Sequence, residues 1–309
     1  MQIHRGYENI NLKNPVVTLG IFDGVHLGHK ALLDRLVSSA RETRGESVVI
    51  TFSPHPRIVL DKDSSSLTFL TTMDEKINLL DKAMVDHLIV IEFSREFSSM
   101  AACDFVREVL VEKIGTKYLL IGYNHHFGRK GEGDFNTVRQ CTESLDFKIE
   151  QVAGLLSDGG VVSSSSVRAA LLQGSLEEAN KLLGYCYSIS GTVVEGRRIG
   201  RTIGFPTANI RPDDQHKLIP YKGVYAVEVN LGGQFYPGML SIGSNPTINS
   251  DPGLRFIEVH ILNFEGDIYG KSISVVFRKR IRDEIRFDSI EKLVEQMKLD
   301  KQSTISLFS

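Results

Sequence analysis

Two histidines three residues apart, His26 and His29, stand in a ten-residue stretch, GIFDGVHLGH at 20–29, with three glycines and one carboxylate. The apolar run 16–19 precedes it and a helical pattern, 30–37, follows, so the spacing predicts a strand–turn–helix junction. A helix N-terminus presents unpaired backbone N–H groups and the positive end of a dipole, which suits a phosphate-sized anion. At a separation of three, both imidazoles share one face of the first turn. Gly20, Gly24 and Gly28 permit close backbone approach to a ligand or a positive φ. Asp23 has no capping role if the helix starts at His26; it could hold Mg²⁺ or orient a histidine. A second chemical feature lies far downstream. Glu258 and His260 alternate with Ile257, Val259 and Ile261, which places a carboxylate and an imidazole on one side of an apolar strand.

Elements must position these groups, and the chain has material for two sets of them. At 309 residues it suggests two domains by the prior of ~150 residues each. With 41% hydrophobic and 24% charged residues it has the composition of a globular protein with ample core. A net charge of −2 excludes a chain-wide nucleic-acid or membrane surface. The local basic clusters, Arg197-Arg198 with Arg201 and Arg278-Lys279-Arg280 with Arg282, suit a small polyphosphate. Cys103, Cys141 and Cys186 form no CxxC pair and read as reduced, incidental thiols. The first residues lack a signal-peptide pattern and no apolar run approaches ~20 residues, so the expectation is a cytoplasmic protein.

From residue 14 to about 184, short apolar strands alternate with helices. Strands are expected at 47–52, 87–93 and 117–122, and a half-exposed one at 147–152; 103–114 is amphipathic at helical spacing. Such alternation implies βαβ units, a parallel sheet, and ligand sites beyond the C-terminal strand ends. The motif-rich stretches after Leu19, Ile50 and Ile121 all fall at such ends, as one site built by several loops requires. Helices at 165–172 and 176–183 follow, the second stopping at Gly184, where the domain boundary is placed: 1–184 and 185–309. Beyond it, strands at 185–194, 204–210, 223–230, 235–242, 255–263 and 272–277 are separated by Gly, Pro, Asn and Asp, as in an antiparallel barrel or sandwich, and 290–297 closes as a helix.

The stretch 20–29 resembles the HxGH signature of nucleotidyltransferases and, more closely, the FMN adenylyltransferase half of the prokaryotic bifunctional riboflavin kinase/FAD synthetases. Thr51–Arg57 (TFSPHPR), 121–133 (IGYNHHFGRKGEG) and 162–168 (VSSSSVR) are similar to further segments of that family. The resemblance implies a Rossmann-like α/β domain. It implies ATP contacts from Gly20, Phe22, Asp23, Gly24, Gly28, Asn124, Ser163, Ser164 and Ser165. FMN contacts fall to Pro54, His55, Pro56, Arg57 and Phe127. His26, His29 and Arg168 become the catalytic groups, the histidines as neutral donors or as imidazolium. His125 and His126 are expected to face solvent. Three histidine-bearing loops raise the thought of zinc, but no HxxxH, ExxH or CxxC spacing supports it.

In the second half, 191–210 reads GTVVEGRRIGRTIGFPTANI. A long hairpin would account for the glycines; the arginines favour a flap over phosphates. Pro206–Asn209 resembles the PTAN signature of riboflavin kinase and 258–260 its E-V-H segment. The resemblance implies a six-stranded antiparallel barrel with a C-terminal helix. It makes Gly196, Gly200, Arg201, Gly204, Pro206, Thr207 and Asn209 the ATP-binding residues, Thr207 and Asn209 the Mg²⁺ ligands, and Glu258 the general base. Arg282 and Glu284, in IRDEIRF at 281–287, would line the flavin side. Segments 223–227, 242–247 and 267–271 are similar as well. With no tryptophan, stacking on an isoalloxazine falls to Phe or Tyr. The whole implies riboflavin phosphorylation to FMN, then adenylylation to FAD. Riboflavin, FMN and ATP would be the partners and Mg²⁺ the cofactor, with no nucleic acid, membrane or obligate protein partner. The alternatives are a nucleotidyltransferase for another acceptor and a non-catalytic flavin or nucleotide sensor.

Overall fold

The structure is a computed structural model that describes residues 1–123, 125–157, 160–196, 199–244 and 255–308. It divides into two compact units, 1–164 and 165–309. The expected sites Asn124, Arg197 and Arg198, and the segment 245–247, lie outside the described residues.

The first unit is built on six parallel strands: β1 (Gln2–Arg5), β2 (Val16–Leu19), β3 (Ser47–Ser53), β4 (His87–Glu92), β5 (Tyr118–Gly122) and β6 (Lys148–Val152), in the order β1-β4-β3-β2-β5-β6. β2 and β3 read as nearly unbroken apolar runs, as strands covered on both faces do, and every β2 residue is buried. The half-exposed pattern of 147–152 becomes the edge strand β6. Helix α1 (Leu27–Glu42) packs on one face, where Leu32, Leu33 and Leu36 meet Val49 and Leu88. On the other face a helical run, α2 (Ala102–Asp104) continuing as a π-helix over Phe105–Lys113, buries Phe105, Val106, Val109 and Leu110. β1 carries no apolar run in the sequence and went unanticipated; it adds to β4 through backbone pairing at the open edge.

The expectation of three reduced thiols is corrected. Cys103, in α2, is disulfide-bonded to Cys141 at the end of α3 (Phe135–Cys141), with Cα atoms 5.4 Å apart, and only Cys186 is free. The 38-residue separation hides a proximity that helix packing creates.

The second unit opens with α4 (Ser164–Leu172), all but its first residue, and α5 (Leu176–Leu183), whose C′ Gly184 is left-handed. β9 (Ser188–Val194), β10 (Ala208–Pro212), β11 (Gly223–Leu231), β12 (Gln234–Ser244), β13 (Arg255–Ile261) and β14 (Ser272–Arg282) close into a barrel, β10-β13-β12-β11-β14-β9; the short hairpin β7 (Leu156–Ser157) and β8 (Gly160–Val161) belongs to the first unit. All described pairings in the barrel are antiparallel. Closure removes every free sheet edge. Asn180 of α5 ties helix to barrel, donating to the Phe277 carbonyl (3.2 Å) and accepting from the Tyr187 N–H (2.8 Å). The last helix, α6 (Ile290–Phe308), is longer than the sequence pattern indicated.

Candidate active sites

In the first unit the turn after β2 is strained and tied down. Phe22 and Val25 sit at φ 50° and 36°, a region that a β-branched residue rarely enters, and Gly24 at 80°. Asp23, only 4% exposed, supplies the tie: its Oδ1 accepts from the N–H groups of Leu70 (2.8 Å) and Thr71 (3.1 Å). The Gly24 N–H returns to Thr71 Oγ1 (3.1 Å), and Ser164 Oγ donates to the Asp23 carbonyl (2.8 Å). Asp23 therefore shapes the turn, a role that no spacing in the sequence revealed, because Leu70 and Thr71 lie 47 and 48 residues away.

His26 is the N-cap of α1, its Nδ1 accepting from the His29 N–H at 3.3 Å. A nitrogen that accepts carries no proton, so the neutral ring bears its hydrogen on Nε2 and can donate there. The rings of His26 and His29 stack 3.7 Å apart. A Cβ on Gly28 would lie 3.2 Å from the His26 ring and from the Val162 carbonyl, so glycine lets segment 162–164 close against the turn. Burial lowers the His26 pKa to about 4, against a smaller raising effect of Asp23. Burial also holds His29 well below the usual range, helped by His26, Lys76 and His125. Burial thus favours the neutral form of both rings near pH 7, one of the two protonation states the sequence left open. Lys76, 6% exposed and in the first turn of the helix Met73–Lys82, was missed by sequence reading; burial lowers its pKa to about 8.

Beside this turn lies a cavity of about 380 Å³. Gly20 and Ile21 line it, and so do His55, Pro56, Arg57 and Phe127 of the expected flavin set, among an aromatic lining that includes Phe52, Phe93, Phe97 and Phe105. Phenylalanines supply most of the aromatic part of that wall. His55 caps the short helix Pro56–Leu60, accepting from the Arg57 N–H, and its ring stacks on Phe69 at 4.3 Å. The expectation that His125 faces solvent is corrected. Its ring stacks beside Phe127 (5.9 Å) in the cavity wall, and burial lowers its pKa to about 4. His126 is exposed. Ser163 and Ser164 end the first unit, whereas Ser165 and Arg168 stand in α4 within the second.

In the barrel, register does what the turn does in the first unit. Asn209 of β10 lies directly opposite Glu258 of β13, which also faces Ser241 of β12. Directly opposed residues share a face with Cβ atoms ~5 Å apart, so the amide and the carboxylate are neighbours across 49 residues of sequence. A Cβ on Gly196 would fall 1.9 Å from Asn209 Nδ2, and one on Gly200 would fall 2.2 Å from the Phe205 carbonyl and 3.4 Å from Thr207 Oγ1. These two glycines leave room that only a hydrogen side chain gives; Gly204 instead takes a positive φ of 80°. A cavity of about 800 Å³ is lined by Glu195, Arg201, Pro206, Thr207, Asp267 and Tyr269, among others. His260 Nδ1–H donates to the Pro206 carbonyl (2.7 Å), fixing the start of the PTAN segment; burial lowers its pKa, while that bond raises it. Sequence reading placed His260 beside Glu258 but gave it no work.

Two expected flavin contacts are placed differently from one another. Arg282 spends its guanidinium on Asp300 of α6, with Nε 3.0 Å from both carboxylate oxygens and Nη2 2.7 Å from Oδ2. Glu284 is exposed, its Oε1 2.7 Å from where a Cβ on Gly243 would stand. Among the described residues no group of three or more His, Cys, Asp or Glu is placed to hold a metal ion.

A strained, histidine-bearing anion turn on a parallel sheet and a polar cross-strand pair on a closed barrel define a two-part enzyme of nucleotide phosphate chemistry. A family model described as FAD synthetase matches residues 8–166, and one described as riboflavin kinase matches 183–308. The bifunctional riboflavin kinase/FMN adenylyltransferase of Listeria monocytogenes is 38% identical over 296 residues, 96% of this chain and 93% of the relative. That of Escherichia coli K12 is 38% identical over 313 residues, 100% of this chain and 98% of the relative. A crystal structure described as a macrolide-efflux protein from Streptococcus pneumoniae superposes with a TM-score of 0.89 at 31% identity, covering 98% of this chain and 99% of that one. The chain belongs to the bifunctional riboflavin kinase/FMN adenylyltransferase family and carries both enzymatic domains. Among the described residues no helix is long and apolar enough to cross a membrane.

Proposed function

We propose that the barrel phosphorylates riboflavin to FMN and that the parallel-sheet unit adenylylates FMN to FAD. The functional boundary is placed at 184/185, beside the start of the riboflavin kinase match at 183. The observation that carries the reading is the stacked histidine pair at the start of α1, His26 its cap, next to an aromatic cavity, in a chain whose other half opposes Asn209 to Glu258.

In the adenylyl step a phosphate oxygen of FMN attacks the α-phosphorus of ATP. One P–O bond forms, the α–β bond breaks, and pyrophosphate leaves. No covalent enzyme intermediate is needed, only alignment and stabilisation of charge on the phosphate oxygens. His26, with its hydrogen on Nε2, and His29 donate to those oxygens as neutral groups. The amides of α1 add dipolar stabilisation. Ser163, Ser164, Ser165, Asn124 and the glycine turn contact ATP, and Arg168, four residues after Ser164 on the same helix face, clamps the leaving phosphates with its planar fork of donors. The isoalloxazine lies in the phenylalanine-lined cavity against 54–57 and Phe127.

In the kinase step Glu258 accepts the proton of the riboflavin terminal hydroxyl as its oxygen attacks the ATP γ-phosphorus and ADP leaves. Arg201 with Gly196, Gly200 and Gly204 covers the phosphates, and Glu284 borders the flavin. Thr207 and Asn209 fit a Mg²⁺ site by their donor chemistry: both offer neutral oxygens, suited to an ion that also takes phosphate and water oxygens. Held there, Mg²⁺ would neutralise charge on the phosphates. The substrates are small molecules, and the expected setting is the cytoplasm.

The test is purified protein with riboflavin, ATP and Mg²⁺, its flavins separated by chromatography over time. The expected outcome is FMN followed by FAD with pyrophosphate release; riboflavin left unchanged overturns the reading.

A further inference from the structure

His125 is used by neither step above, and its setting is unusual for a histidine. Its backbone N–H is satisfied by the Gly122 carbonyl (3.1 Å) just beyond β5, which fixes the residue at the C-terminal end of a central strand. The ring stands in the wall of the 380 Å³ cavity and stacks beside Phe127. Its Nε2 is buried and makes no hydrogen bond among the described residues, and the same holds for Nδ1 of His29. A buried polar atom left unpaired is costly, so such atoms mark places that a ligand, an ion or a water completes.

The two rings are close enough that each His125 charge state bears on His29. The rest of the wall is mostly apolar, with Phe52, Phe97, Met100 and Phe105 in it, and its one serine, Ser98, already donates its hydroxyl to the Arg95 carbonyl at 2.6 Å. Among the described residues, the other wall residues with an imidazole or guanidinium are His55, Arg57 and His126. His55 Nδ1 already accepts from the Arg57 N–H, Arg57 pairs with Asp61 at 3.1 Å, and His126 is exposed. A flavin mononucleotide seated ring-first in the phenylalanines must run its chain out toward the histidine turn. Where apolar wall gives way to the reacting groups, His125 is the residue that can offer a hydrogen. Resting on the adenylyltransferase reading, we propose that the Nε2–H of His125 grips the phosphate of the acceptor flavin and turns its attacking oxygen toward the nucleotide. The neutral ring, its Nε2 buried, donates a hydrogen bond without adding a charge that would blunt the nucleophile.

The test is steady-state FAD synthesis from supplied FMN, with lumiflavin, which has the ring system but no chain or phosphate, as competing inhibitor. His125→Phe keeps the stacking and removes the hydrogen. It should raise KM for FMN by about tenfold or more, the worth of a hydrogen bond to a charged group, and leave lumiflavin inhibition unchanged. His125→Gln, whose amide nitrogen falls near the position of Nε2, should restore most of the affinity, and His125→Asn, whose nitrogen falls near Nδ1, should not. An unchanged KM in His125→Phe overturns the proposal, and so does an equal loss of FMN and lumiflavin affinity, which would assign His125 to the ring system. If His125→Phe does not fold, equal KM values in the Gln and Asn variants overturn it. Unsubstituted protein that makes no FAD from FMN would instead sink the adenylyltransferase reading beneath it.

Discussion

The two halves hold their chemical groups in opposite ways. In the first unit the groups are close in sequence and the backbone bends to gather them: ten residues hold both histidines, and a strained turn is pinned by Asp23 to the amides of Leu70 and Thr71. In the barrel they are far apart in sequence on regular strands, and register brings Asn209 to Glu258. A turn of the first kind depends on one buried carboxylate. A register of the second kind depends on closure of the whole sheet and on what pins its last strand, namely the Arg282–Asp300 pair.

That difference can be broken from the barrel side first. Arg282→Ala leaves Asp300, 3% exposed, without its guanidinium, and an uncompensated buried charge costs about 3–5 kcal/mol. Chemical denaturation followed by hydrogen exchange should show the loss in β11, β12 and β14 while β2 and β3 keep their protection. Loss of flavin affinity with barrel stability intact would return Arg282 to the flavin site.

Acid should act in the reverse sense. The unfolded rings of His26 and His125 take up protons near pH 6.5, whereas the folded rings wait until about 4. Between those values the unfolded state binds more protons, so stability is full above pH 6.5 and falls as pH drops toward 4. The loss is on the order of 3 kcal/mol per ring. His29 adds in the same direction. Hydrogen exchange from pH 7 to 4.5 should therefore show β2 and β5 losing protection faster than β11 and β12. Parallel losses would contradict the buried neutral histidines.

The smallest effect sharpens the turn itself. Asp23→Asn keeps the shape of the side chain but weakens a charged acceptor of two backbone amides, a loss of about 1–2 kcal/mol. Its denaturation midpoint should fall slightly, FAD synthesis should fall more than the midpoint explains, and FMN synthesis should hold. Equal loss of both activities would show that Asp23 does not act through the turn.

The same contrast explains what could be read in the sequence. β2, the glycine turn and α1 are contiguous, so 20–29 disclosed an anion site at a helix start, and the alternation of short strands and helices disclosed the parallel sheet. The six barrel strands were legible from their Gly, Pro, Asn and Asp punctuation. Their cyclic order was not, because it depends on pairings such as Asn209 with Val194 and Glu258 that no local pattern encodes. Asp23's true partners, the Cys103–Cys141 bond and the commitment of Arg282 to Asp300 were hidden for the same reason. Each joins residues that only packing brings together. His125 misled because two adjacent histidines in a glycine-bounded loop look solvated, whereas stacking against Phe127 turns one of them inward.

The central claim is that two independent sites in one chain act in series, and complementation tests it most directly. Glu258→Gln and His29→Ala variants would each be given riboflavin, ATP and Mg²⁺, first alone and then mixed. The account predicts that Glu258→Gln alone leaves riboflavin unconverted, that His29→Ala alone stops at FMN, and that the mixture makes FAD. FAD from riboflavin with either variant alone, or a mixture that never passes FMN, would contradict it.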